Sequence, residues 1–170
     1  MKQILYAVYV LLIAIVLIPK EKLFFTLESV LSKNHVFIAG EQLDDRLVYL
    51  DADDGQLVLD HQQVASIGQI RIAPWIVFNR LSISSISISP LYRTFFPGEI
   101  DEIEFTYSLL HPLSMQMHGE GDFGRCNGVV DLVNKKVRVV FEATPELRNY
   151  PLLVFKLHQD REGLVYESDF

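Results

Sequence analysis

Apolar and polar positions divide the chain into three stretches of different period. Residues 4–18 read ILYAVYVLLIAIVLI, fifteen positions without a charge. Residues 22–33, KLFFTLESVLSK, place apolar side chains at Leu23, Phe24, Leu27, Val30 and Leu31. That three- and four-residue spacing gives a helix one apolar face, with Thr26, Glu28, Ser29 and Ser32 on the other. From Val36 onward the period shortens to two. The runs HVFIAG, RLVYLDA, QLVLD, VASIGQIRI, LSISSISIS, EIEFTYSLL and PLSMQMHG alternate between apolar and polar, separated by stretches such as EQLDD, DDG and HQQ. Eight or more short strands at this spacing, with no second long helical pattern to carry parallel crossovers, predict an antiparallel sheet. The expected fold is mainly β: an N-terminal transmembrane helix and a short amphipathic helix, then a twisted antiparallel sheet arranged as a meander or open half-barrel. The boundaries are 1–19 for a membrane anchor, 20–34 for an interfacial helix and 35–170 for the β domain.

Local details refine this outline. In LSISSISIS, Leu81 and Ile83 keep the two-residue period, as do Ile86 and Ile88, but the two pairs are out of phase. A bulge near Ser84 and Ser85 would return all four to one face, and the serines make the other face polar. APWIVFN, residues 73–79, reads as a buried turn or a lip of the core, with Trp75 a core residue rather than a ligand contact. Thr144 and Pro145, followed by Glu146, start a helix that Pro151 interrupts. PLLVFKLHQ suits either helix or strand, and GLVYESDF reads as a final strand.

The apolar N-terminus bears on location. Fifteen helical residues span roughly 22 Å, short of a hydrocarbon core of ~30 Å. The stems of Lys2 and Lys20 extend the reach by snorkelling. The exit, IVLIPKEKLFF, has no small-residue pair for a signal peptidase, which favours a retained signal anchor over a cleaved leader. The residues expected to form this membrane anchor are Ile4, Leu5, Val8, Val10, Leu11, Leu12, Ile13, Ile15, Val16, Leu17 and Ile18. A three-residue tail before the span stays inside, which puts the bulk of the chain outside the cytoplasm. The helix after it suits the bilayer surface or the following domain equally.

Charge narrows the partners. A net charge of −7 with no cluster of Lys and Arg excludes a nucleic-acid partner. Residues 41–60 hold seven acids against Arg46 alone, read as a solvated acidic surface. The single cysteine, Cys126, forms no internal disulfide, and its flanks suggest a strand or turn rather than a nucleophile's setting.

One motif invites a chemical reading. Gly119, Gly121 and Gly124 are spaced G-x-G-x-x-G, as in dinucleotide-binding loops. That chemistry needs a helix after the glycines, whose N-terminus receives the pyrophosphate. GVVDLVNKKVRVVFEA follows instead, two β-branched alternating runs about a turn at Asn134, Lys135 and Lys136. The glycines are therefore expected at bulges, tight turns and close strand contacts. DADDG, residues 51–55, fails as a calcium loop because the required Gly and Glu positions are Gln56 and Gln62; it reads as a β-turn. The histidines, at 35, 61, 111, 118 and 158, have no cysteine or paired carboxylate at ligand spacing. Glu120 and Asp122 are the carboxylate pair beside the glycines and are expected to be solvated in a turn. No nucleophile, zinc or phosphate-loop motif occurs. Neither cofactor nor metal is expected, nor an enzymatic activity.

The anchor followed by PKEKLFF, the many short strands and the pattern GEGDFGRCNGVVDLVNKKVRVVF over residues 119–141 resemble the general secretion pathway protein N group, with the AsmA-like β-repeat proteins as wider relatives. The resemblance implies a single-pass protein of a Gram-negative inner membrane, with its bulk in the periplasm and a non-enzymatic role in type II secretion or envelope assembly. Its partners would be the membrane and other secretion or envelope proteins. Under that expectation the sheet is a scaffold that adds a partner's strand at an open edge. The alternative is a lipid-binding or lipid-transfer module whose apolar face carries Ile103, Phe105, Tyr107, Met115 and Met117. A continuous apolar groove open to solvent favours lipid; a closed core with a free polar edge favours the scaffold.

Overall fold

The structure is a computed structural model that describes residues 19–169 apart from 34, 76, 94, 95 and 162, and leaves out the side chains of 30, 146 and 152. The proposed anchor, with the eleven residues named for it, lies outside the described residues. The first element is helix α1 (Lys20–Ser32). Nine strands follow: β1 (Val36–Ala39), β2 (Gln42–Asp45), β3 (Leu50–Leu59), β4 (Gln62–Pro74), β5 (Phe78–Ile88), β6 (Glu99–Ser108), β7 (Ser114–Gly121), β8 (Gly124–Asp131) and β9 (Lys136–Phe141). A 3-10 turn (Glu146–Asn149) and a short helix α2 (Pro151–Phe155) precede β10 (His158–Asp160) and β11 (Gly163–Asp169).

The fold is mainly β, built on one open antiparallel sheet. From β3 to β9 each strand pairs with the next in sequence; β11 then pairs with β9, and β10 lies outside β11. At the opposite edge β1 and β2 pair with successive stretches of β3. In such a meander alternate connections share an end. The β2–β3, β4–β5, β6–β7 and β8–β9 connections lie at one end of the sheet, and the β3–β4, β5–β6 and β7–β8 connections at the other.

Alternation along the strands gives the sheet an apolar and a polar face. The pairs Ile72↔Leu81, Ile70↔Ile83 and Ile67↔Ile86 run across β4 and β5 on the apolar face. Ile103 and Phe105 continue it onto β6, and Met115 and Met117 onto β7. On the other face Arg80 pairs with Glu104, Arg125 with Glu120, and Arg138 with Asp160 and Glu167.

The phase change expected at Ser84 and Ser85 is present, but it belongs to four strands. Register on both sides shows Asp54, Gly68, Ser85 and Asp101 each occupying the step where alternation resets. Asp54 and Ser85 take positive φ, +59° and +55°. Gly68 is required there, because a Cβ would lie 2.7 Å from that of Ser85. These four irregular residues are aligned across the sheet, and β4 carries a further bulge at Val64, opposite Leu57 and Val58; steps of this kind bend a sheet while the ladder continues on either side.

Two expectations are corrected here. DADDG is no turn: β3 runs through it, held on both edges, and the left-handed step at Asp54 accommodates the turn-forming residues inside the strand. EQLDD is no separator either, since residues 42–45 of it form β2 against β3. The chain's local preference yields in both places to backbone pairing with neighbours. The segment after Pro151 resolves as α2 and then β10.

Two apolar clusters lie against the apolar face. The first centres on Phe24 of α1, Leu50 and Ala52 of β3, Ala65, Ile67 and Ile70 of β4, and Ile86 and Ile88 of β5. Burying a large apolar side chain such as Phe24 stabilises by about 1.5–3 kcal/mol, and with Leu31 it docks the 13-residue helix on the sheet. The second cluster joins Phe123, Cys126, Val139 and Leu147, with Tyr150, Leu153 and Val154 packed on it from the 3-10 turn and α2.

Candidate functional site: an apolar groove

Between α1 and the middle of the sheet the apolar face is left uncovered. Phe24 is fully buried and Leu31 packs on the first cluster, fixing the helix at the β1 and β4 side. Leu23, Leu27 and Leu31, on successive turns, form one wall of a groove of about 760 Å³. Its floor comes from the partly exposed Leu57, Ile72, Leu81 and Ile83, with Ile67, Ile70 and Ile86 of the buried first cluster beneath them, and its far wall from Phe105, Tyr107 and Met115. That volume is in the range of sites for drug-sized ligands. The polar lining is confined to Asn79, Arg80 and Tyr107, all near the end where β4 meets β5, and the Arg80 guanidinium itself is on the polar face, 3.4 Å from Glu104. The chemistry available is desolvation of an apolar body with a few polar contacts at one end.

Of the five residues assigned from sequence to a lipid-facing surface, Phe105, Tyr107 and Met115 line this groove. Ile103 packs on the first cluster and Met117 on the second. All five share the apolar face, as the pairs Phe105↔Met117 and Tyr107↔Met115 require. Sequence reasoning missed most of the floor. Ile67, Ile70, Ile72, Leu81, Ile83 and Ile86 were visible as alternating apolar positions, but nothing local separates a groove floor from a filled core.

The glycine motif lies at the opposite end, where the face is closed. Gly119 and Gly121 belong to β7, Gly124 opens β8, and Gly121 pairs with Gly124 about the two-residue turn Asp122–Phe123. No helix follows. Gly124 takes φ +91°, open to glycine at little cost. A Cβ on Gly121 would sit 2.8 Å from the Glu99 carbonyl oxygen and from the Ile100 Cα, so only glycine lets β7 approach β6 this closely. Asp122 secures the corner: its carboxylate accepts from the Glu99 amide at 2.9 Å and its own amide donates to the Glu99 carbonyl at 3.0 Å. Phe123 is thereby turned under the sheet, edge-on to Phe141 with centroids 5.7 Å apart.

The other candidates take structural places. Cys126 is buried beside Phe123, and loss of solvent pushes its thiol up to about 11, far from a reactive thiolate. Glu120 pairs with Arg125 on the polar face at 3.2 Å, whereas Asp122 lies in the turn. His118 shares a 2.9 Å hydrogen bond with Asn127, and His111 is exposed. Among the described residues no three His, Cys, Asp or Glu side chains are grouped as metal ligands. The acidic stretch is more paired than its composition suggested. Buried Asp51 accepts two bonds from Arg71, at 2.7 and 3.0 Å, and Asp53 accepts from Gln69. Asp44 meets Arg46, and Asp45 meets Lys20. These acids are spread over β2 and β3, so cross-strand and local cations reach them. Trp75 is half-buried and stacks on Phe78 at 5.8 Å.

A second depression, about 450 Å³ on the polar face, is bordered by Asp131, Lys136, Arg138 and Glu167. Its charges largely satisfy one another across β8, β9 and β11, so the apolar groove is the stronger candidate. No helix among the described residues is long and apolar enough to cross a membrane. Comparison of the chain with protein-family models, curated proteins and solved structures yields no match.

Proposed function

We propose that this chain is a lipid-handling module that shelters an acyl chain in the groove between α1 and strands β3–β7. The observation that carries this is a solvent-open, almost wholly apolar groove of about 760 Å³ on an unclosed sheet. Each methylene withdrawn from water into it contributes about 0.8 kcal/mol. The sheet edges support the edge-pairing scaffold less well. β1 and β2 are four residues long and β10 three, and short edges are how sheets resist adding a strand. The apolar N-terminal sequence and the resemblance to envelope proteins supply the setting: a membrane-tethered, non-enzymatic protein facing the periplasm, within secretion or envelope assembly.

The test is mass spectrometry of lipid retained by the detergent-extracted full chain. Wild type is expected to retain an acyl lipid that Leu81→Asp, which puts a charge on the groove floor, loses. Met115→Ser at the far wall should show a partial loss. Equal lipid in all three proteins, or none in wild type, would refute the groove as a lipid site.

A further inference from the structure

The four connections at one end of the sheet are apolar for exposed turns. Exposed hairpin tips favour Gly, Pro, Asn, Asp and Ser, which bend the chain and face water. The β2–β3, β4–β5, β6–β7 and β8–β9 connections read RLVY, WIV, LLHPL and LVNK. They contain none of the chain's 22 acids and no glycine or serine, and Pro112 and Asn134 are their turn-forming residues. Instead, Leu47 is 70 % exposed, Leu110 76 %, Leu113 63 % and Val133 61 %. Three of the four tips are tied into a row. The Leu109 amide donates to the Val77 carbonyl at 2.9 Å, and the Leu132 amide to the Leu113 carbonyl at 3.0 Å. At the other end the β3–β4 turn is Asp60–His61 and the β7–β8 turn has Asp122 outside and Phe123 buried; the longer β5–β6 connection exposes Leu91 and Phe96 beside Ser89, Arg93 and Gly98.

We propose that this row of hairpin tips docks into the surface of a lipid bilayer. Three observations select lipid as the occupant. The fifteen-residue apolar stretch of the sequence joins the fold at this same end, because Lys20 is ion-paired at 2.9 Å with Asp45, the residue before the β2–β3 connection. Aromatic and cationic side chains share the tips with the aliphatic ones: Trp75 stacks on Phe78, and the Arg46 guanidinium lies 5.7 Å from the ring centre of Tyr49. Aliphatic, aromatic and Arg side chains together are the composition of a membrane-interface contact. Within the tips themselves the charged residues are Arg46, ion-paired with Asp44 at 2.9 Å, and Lys135, so no acid projects from the tips toward anionic headgroups. The groove is continuous with this surface, since Pro74, Asn79, Tyr107 and Met115 border both. Tyr92 packs on the core at the other end. Docking would therefore set the mouth of the groove against the membrane. That consequence rests on the acyl-groove reading; the docking itself does not.

Trp75 is the single tryptophan and stands in the row, so its own fluorescence reports on the contact. The full chain reconstituted in vesicles of phosphatidylcholine and phosphatidylglycerol is expected to show Trp75 quenching by lipids brominated near the headgroup end of the acyl chain. The double variant Leu110→Ser, Leu113→Ser, which leaves Trp75 and the core in place, should lose most of it. The Leu91→Trp substitution, at the far end, in a Trp75→Phe chain, should stay unquenched. Unquenched Trp75 in wild type, quenching unchanged by the two serines, or equal quenching at position 91 would each overturn the proposal. Lipid retention by the groove is read separately, so either idea can fail while the other stands.

Discussion

The two sides of the apolar face start from the same alternation and finish differently. On the β8–β9 side the face is filled: Phe123 is folded under by its turn, and Leu147, Leu153 and Val154 cover it from the following chain. On the β4–β6 side the cover is one helix set to the side, and Ile72 and Ile83, which could have met a second layer, border open space. The difference lies in what the chain does after each pair of strands. Gly121 draws β7 onto β6 and turns Phe123 inward, whereas the β4–β5 and β6–β7 connections point their apolar residues outward. Burial in a sheet is thus settled by the covering element, and strand pattern alone supplies only a surface able to be covered.

The comparison can be broken most directly by truncating one aromatic from each side. Phe123→Ala should cost about 3–5 kcal/mol, the usual result for a filled core, against about 1 kcal/mol for Phe105→Ala at the groove wall. Denaturant titration of both variants checks this, and similar losses would mean that the groove is as tightly packed as the closed side. Gly121→Ala should cost about 1–3 kcal/mol by the same assay, because its new methyl meets β6 backbone that cannot rotate away.

Cys126 sharpens the description of the closed side. Its folded value of about 11 lies above the ordinary 9.0. Below pH 9 both folded and unfolded chains keep the thiol proton, and the stability contribution is complete. As pH rises from 9 to 11 the unfolded chain loses that proton first, so the native state weakens, by up to about 2 kcal/mol. The fall should be visible as the difference between wild type and Cys126→Ser in alkaline unfolding curves. A thiol that reacts rapidly with an alkylating reagent at neutral pH would show that this side opens. The smallest effects belong to the polar face. Arg80→Ala and Arg125→Ala each remove an exposed ion pair and should shift stability by less than about 1 kcal/mol, whichever side they flank.

Much of the architecture was legible in the residues. The spacing of Leu23, Leu27 and Leu31 marked one face of a helix, and the phase break between Ile83 and Ile86 marked an irregular step in a strand. The β-branched runs after Gly124 excluded a phosphate-binding helix without any coordinates. All these are properties of a few consecutive residues, because the periods of helix and strand repeat within a turn or two of chain. Other features had no local signature. Asp53, Asp54 and Gly55 have turn-forming composition, yet β3 continues through them because β4 supplies the backbone partners. Gly121 is decided by the backbone of β6, twenty residues earlier in the chain. The groove and the row of hairpin tips depend on how far the aligned irregularities bend the sheet and on which segments return to cover it. Pattern determines which side chains seek burial. Contacts between residues far apart in sequence decide which of them obtain it, and so which remain available to bind.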